Sequence, residues 1–130
     1  MDSYFKEPYI AGIAVALAIF VVVAEGVSPS IFTVWNLVPV MVAYFAFKGA
    51  STSGSRKILL GAIGYAFTGL ALLLYVHVAW LFDIDGAKTG SSTSGLVFLF
   101  FPLWSLILGA VGYFVGYAIG GALDESAGKT

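Results

Sequence analysis

The hydrophobic positions of this chain fall into four long blocks separated by short polar breaks, with no period-two alternation inside any block. A bilayer hydrocarbon core about 30 Å thick calls for roughly 17–25 apolar residues of helix. The first block, 8–25, opens at Pro8, whose missing N–H costs nothing in a first helical turn, and closes at Glu25-Gly26. The second, 31–48, follows the turn signal Ser28-Pro29-Ser30, and the third, 57–83, runs from Ile58 to Phe82 without a side chain charged at neutral pH. The fourth, 94–122, is long enough to tilt or to project from the bilayer. The pattern predicts an all-α integral membrane protein, a single domain over 1–130, with four transmembrane helices in an up-down-up-down bundle. Barrel strands would alternate polar and apolar residues over about ten positions, and no such stretch occurs.

Composition agrees. Of 130 residues, 60% are hydrophobic and 10% charged, against about 45–50% and 25% in soluble domains. Six Lys and Arg against seven Asp and Glu give a net charge of −1, which offers no basic surface to nucleic acid. Cysteine is absent, which excludes disulfides and thiolate chemistry. The leading MDSYFKEP is a poor basic leader, and AEGVSPS lacks a small-x-small cleavage site, so the first block reads as a retained helix. Lys6, Lys48, Arg56, Lys57 and Lys129 fall on one side of the spans and Lys88 alone on the other. The positive-inside rule then predicts N-in and C-in, with the polar linker KGASTSGSRK in the cytoplasm, in a cell (cytoplasmic or inner) membrane. The two halves share no matching Gly or Pro breaks, so an inverted-repeat transporter gains no support.

Polar side chains inside spans mark where function could sit, and on this map they gather at the outer end. Glu25 closes span one, Thr33 and Asn36 lie in the first turns of span two, and His77 lies six residues before Asp83. His77 and Asn36 come out at similar depths, about 7–9 Å in at ~1.5 Å per residue, which predicts an Asn36–His77 hydrogen bond. The candidate ligand-binding set is His77, Asn36, Glu25, Asp83 and Trp80, with Leu81 sharing the His77 face and Trp104 near the kinked helices. Pro39 and Pro102 interrupt spans two and four and favour kinks. Interhelical glue is the plain alternative for His77 and Asn36.

His77 is the only histidine, so a bis-histidine haem would need a second chain, and a metal would have one imidazole plus carboxylates. No metal and no cofactor is implied. The segment Asp83–Gly90 misses the calcium-loop pattern, with its glycine early and no glutamate at position twelve, and reads as a solvated turn. Ser91-Ser92-Thr93-Ser94 supplies hydroxyls for an N-cap on the fourth helix. In span four, Gly109, Gly112, Gly116 and Gly120 form a glycine-zipper stripe for close helix packing, against Ala-rich span one (Ala11, Gly12, Ala14, Ala16, Ala18) or against a second copy; span three has a shorter small face at Gly61 and Gly64.

No nucleophile is paired with a base, and Ser105 sits among apolar residues, so an enzyme is not indicated. The expectation is a small structural or accessory membrane protein acting by helix–helix association with itself or a larger membrane complex, its partner otherwise the lipid bilayer. The alternatives are an outward-facing binder of a small ligand, metal, quinone or lipid, and an oligomeric permease for small solutes or ions.

Overall fold

The computed structural model describes residues 7–26 and 31–128; Lys6, the Ser28-Pro29-Ser30 turn and Lys129 lie outside them. Among the described residues the chain is helical with no strand: α1 (Glu7–Glu25), α2 (Ile31–Ser53), α3 (Arg56–Tyr65), a π-helical segment (Ala66–Leu70), α4 (Ala71–Leu81) and α5 (Val97–Gly128). The π segment joins α3 and α4 into one continuous rod, so four helices are long and apolar enough to cross a membrane. α1 ends where Gly26 takes φ +93°, a conformation that glycine adopts freely.

The polar linker expected between spans two and three is mostly helix. α2 continues through Lys48 to Ser53, because small polar residues do not stop a helix already propagating. Gly54 stops it, at φ +63°, with its N–H on Ala50 O at 3.0 Å. Ser55 then caps α3, accepting from the Ile58 N–H. α2 and α3 therefore meet in a two-residue turn, here called the turn end of the bundle; the 82–96 segment defines the opposite, loop end. α5, 32 residues or about 48 Å long, outruns a bilayer core, and its projecting end places Asp124 3.8 Å from Arg56.

The most extensive packing joins the α3–π–α4 rod to α5. It runs antiparallel, since a Cβ at Gly69 would meet Ser105 O at 2.7 Å, one at Gly116 would strike Leu60 O, and one at Gly120 would meet Lys57 Cα at 2.7 Å. Gly64 and Gly112 face each other so closely that a Cβ on either would collide with the other's carbonyl. The glycine stripe thus packs against the third span, not against span one; α1 packs on α2 and α4, and Gly12 has open space around it. Two side chains reinforce the seam: Ser105 Oγ donates to Gly69 O at 2.7 Å and Thr68 Oγ1 to Leu108 O at 2.8 Å.

The π segment sets the rod's facing. Gly61, Tyr65, Gly69, Leu73 and His77 are all buried at intervals of four. At about 100° per residue an uninterrupted α-helix would carry His77 roughly 160° from Gly61. One residue absorbed in a π-turn winds that back to about 60°, so both ends of the rod face the bundle. The core beneath is Val21, Val40, Leu73 and Phe101, one from each span.

Pro39 and Pro102, the prolines inside α2 and α5, are both buried in the bundle. The Pro102 ring crowds the carbonyls of the preceding turn, and Leu99 O there accepts from the Trp35 indole N–H at 2.9 Å. On α2, Pro39 O accepts from Tyr65 Oη at 3.0 Å in buried surroundings. Tyr65→Phe should lower stability in detergent by about 0.6–1.7 kcal/mol, the range of hydrogen bonds between membrane helices; equilibrium unfolding in mixed micelles measures it.

Candidate functional site

The site is built around His77, whose side chain is completely buried. Its position on α4 puts Nδ1 2.8 Å from Leu73 O, one turn back. A carbonyl only accepts, so Nδ1 carries the hydrogen. On the other side Nε2 lies 3.1 Å from Glu25 Oε1, at the last residue of α1. A nitrogen lone pair facing a carboxylate would repel it, so one proton lies between Nε2 and Oε1. That is how a low-dielectric interior tolerates two titratable groups.

Aromatic rings enclose the imidazole: Phe20 from α1 at 6.2 Å, and Phe98 and Phe101 from α5 at 5.4 and 5.2 Å between centroids. The imidazole has no exposed surface, whereas the Glu25 side chain bonded to it is 11% exposed. Glu25 borders a cleft of about 460 Å³ at the loop end, with Phe32 and Thr33 of α2, Trp80 of α4, and Phe98 and Leu99 of α5. Trp80 and Phe98 meet edge-to-face at 4.7 Å. Gly95 and Leu96, in the turn before α5, close the rim. From the cleft inward the order is open space, Glu25, His77, Leu73 O.

Of the residues singled out from the sequence, the structure brings together Glu25, His77 and Trp80. Asn36 does not join them. It is fully buried, but its amide nitrogen donates to Phe32 O at 2.6 Å, and its Oδ1 has no hydrogen-bond partner among the described residues. Equal depth placed Asn36 and His77 at one level; helix rotation turned the amide back along its own helix. Leu81 and Trp104 do not line the cleft. Trp104 is 57% exposed, because the close glycine seam puts the opposite side of α5 outward. Phe98 and Phe101 were missed, although their spacing of three puts both on one helix face.

Asp83 serves its own loop. At φ +48°, it accepts the N–H groups of Lys88 at 2.8 Å and Thr89 at 3.0 Å, and the Thr89 hydroxyl. These bonds, the Thr89 hydroxyl foremost, hold its carboxyl below the ordinary 3.8, since each favours the charged form. A carboxyl whose folded pKa is depressed contributes order that is complete above 3.8 and is lost as pH falls through the lower folded value. Amide exchange at Lys88 and Thr89 should therefore stay slow down to that range and accelerate below it, whereas Asp83→Asn should exchange fast at every pH.

The hydroxyl run before α5 also bonds internally. Thr93 N–H donates to Ser91 Oγ and Ser94 Oγ to Ser91 O, and the turn Ser94–Leu96 that leads into α5 has no side-chain cap. The expected N-cap is absent because a 3₁₀ turn intervenes. Among the described residues no group of three or more His, Asp and Glu is placed to hold a metal ion; Glu25 and His77 offer two donors, already bonded to each other.

Fold and site together define a multi-pass membrane protein, four apolar helices around a buried carboxylate–imidazole pair at the floor of a cleft. No protein-family model, curated protein or solved structure matches the chain.

Proposed function

We propose that this protein binds a small ligand in the loop-end cleft, with the Glu25–His77 pair as the chemical group that recognises it. The observation that carries the reading is the position of Glu25, bonded to a wholly buried histidine on one side and bordering the cleft on the other. An ionisable pair inside a span is costly to maintain and marks functional sites. A mostly apolar concavity with few convergent polar groups is the ordinary form of a ligand pocket. With five of six cations assigned to the opposite side, the positive-inside rule supports N-in and C-in, so the cleft opens away from the cytoplasm of a cell membrane.

Lateral association, as an accessory subunit or a homo-oligomer, is the second reading. The glycine stripe that motivated it is occupied by the chain's own third span, so association would have to use other faces, such as the exposed α5 ridge of Val111, Phe114 and Val115.

Gly95 borders the cleft, and a Cβ added there would meet nothing within 4 Å, so Gly95→Trp should fill the cleft without disturbing the bundle. Native mass spectrometry of the full chain from mild detergent should show a one-to-one small-molecule adduct that Gly95→Trp loses, at unchanged melting temperature. Identical spectra for the two proteins would refute the ligand reading, and a retained protein partner would favour the second.

A further inference from the structure

We infer that the ligand of the cleft is a neutral alcohol with an apolar tail, which enters sideways from the bilayer and donates its hydroxyl hydrogen to Glu25. This rests on the ligand reading above and names its chemistry. The His77 ring engages Oε1 of Glu25. The second oxygen, Oε2, has no hydrogen-bond partner among the described residues and is not sealed in. Glu25 borders the cleft, so the bonding atom left open there is a carboxyl oxygen. With the proton of the pair between Nε2 and Oε1, Oε2 carries no hydrogen and accepts. The complementary head group is therefore a donor. It is also uncharged. The Glu25 carboxyl is already matched to the His77 ring, and among the described residues no other charged side chain borders the cleft. An ammonium or an acid would enter that apolar space uncompensated, and a hydroxyl is the smallest neutral group that donates.

The tail follows from what adjoins the cleft. Phe32 of α2 and Leu99 of α5 border both the cleft and a second cavity of about 480 Å³, lined otherwise by Ile31, Val34, Trp35 and Val38 of α2. Ile31 and Val34 are exposed on a helix long and apolar enough to cross a membrane, so this second cavity is a groove facing lipid. Two side chains thus stand between the acceptor and the bilayer. A molecule dissolved in the membrane can lay its tail in the groove, pass its head between Phe32 and Leu99, and reach Oε2 without crossing water. Apolar walls along the whole path and one acceptor at its end fit an amphiphile with a single polar head.

The test places the full chain in phosphatidylcholine vesicles with an undecanol that carries a diazirine in its chain, and maps the labelled residues by mass spectrometry after photolysis. Label should fall on the cleft and the groove, Phe32 and Leu99 included, and Gly95→Trp should lose it from the cleft. Undecanol should displace the label at a membrane concentration roughly three- to tenfold below that of decyl methyl ether, an isomer without the hydroxyl hydrogen, the worth of one hydrogen bond. Decyltrimethylammonium should compete no better than the ether. Glu25→Gln should keep the preference for the alcohol, because its N–H turns to Nε2 and leaves a carbonyl oxygen to the cleft. Glu25→Leu/His77→Leu, its folding verified by its melting curve, should lose the preference. Equal competition by alcohol and ether, better competition by the ammonium, or a preference that survives in the double variant overturns the alcohol and leaves the ligand reading standing. Label absent from the cleft, with the native adduct still lost in Gly95→Trp, does the same. Absence of cleft label and of any adduct overturns both.

Discussion

Gly116→Leu should destabilise the protein by at least the roughly 1–3 kcal/mol typical of overpacking, and melt it several degrees lower in detergent, while Gly95→Leu leaves it unchanged. The two glycines belong to the same fourth apolar block but have opposite surroundings. A Cβ at Gly116 runs into Leu60 O and the Leu60–Gly61 peptide, whereas one at Gly95 meets nothing within 4 Å. A backbone atom cannot turn aside as a side chain can, so α3 and α5 would have to separate. Separation would strain the seam bonds of Thr68 and Ser105 and uncover the α3–α5 contact, the largest in the molecule. In a membrane, close packing and interhelical hydrogen bonds supply much of what holds helices together, since lipid is as apolar as the side chains. Equal melting of the two variants would mean that this seam does not carry the fold.

Why the four spans could be read from sequence, and the seam only in part, follows from the kinds of signal involved. Length and apolarity fix a span locally: the helix ends at Glu25 and Ile31 coincide with breaks visible in the chain. Partner choice is not local. The stripe Gly109, Gly112, Gly116 and Gly120 announces a close approach, and the partners the pattern suggests are span one with its alanines or a second copy, whereas span three shows only Gly61 and Gly64. Gly69 completes the third span's small face only because a π-turn brings it round, and an insertion of that kind leaves no sequence signature as clear as a proline.

The same limit governed the site. His77, Glu25 and Trp80 stood out as polar or amphipathic residues near one end of the bundle, which composition alone reveals. Which of them touch depends on rotation about each helix axis. An uninterrupted third span would have turned His77 away from Gly61; the π segment turns it inward, to a carboxylate at the end of α1. Asn36 has a matching depth and bonds within its own helix instead. The loop was legible for a different reason. Asp83 and Thr89 form a local turn, whose hydrogen bonds need no partner helix.

Breaking the buried pair one side at a time should cost far more than removing it whole. His77→Leu leaves Glu25 without its partner at the floor of an apolar cleft, and Glu25→Leu leaves Nε2 of a fully buried ring with nothing to bond. Removal of one member of a buried pair typically costs about 3–5 kcal/mol, because the survivor keeps its desolvation penalty and loses its compensation. Glu25→Gln should cost less than Glu25→Leu, since a carboxamide N–H can still donate to Nε2 of the neutral ring whose Nδ1–H stays on Leu73 O. The double variant Glu25→Leu/His77→Leu removes both polar groups together. Apolar replacement of a whole buried pair is often close to neutral, so it should be more stable than either leucine single variant. Unfolding free energies of the parent, the two leucine single variants and the double variant in one detergent mixture give the coupling directly. Additive losses in the double variant would show that Glu25 and His77 do not act as a pair, and the ligand reading would lose the group it rests on.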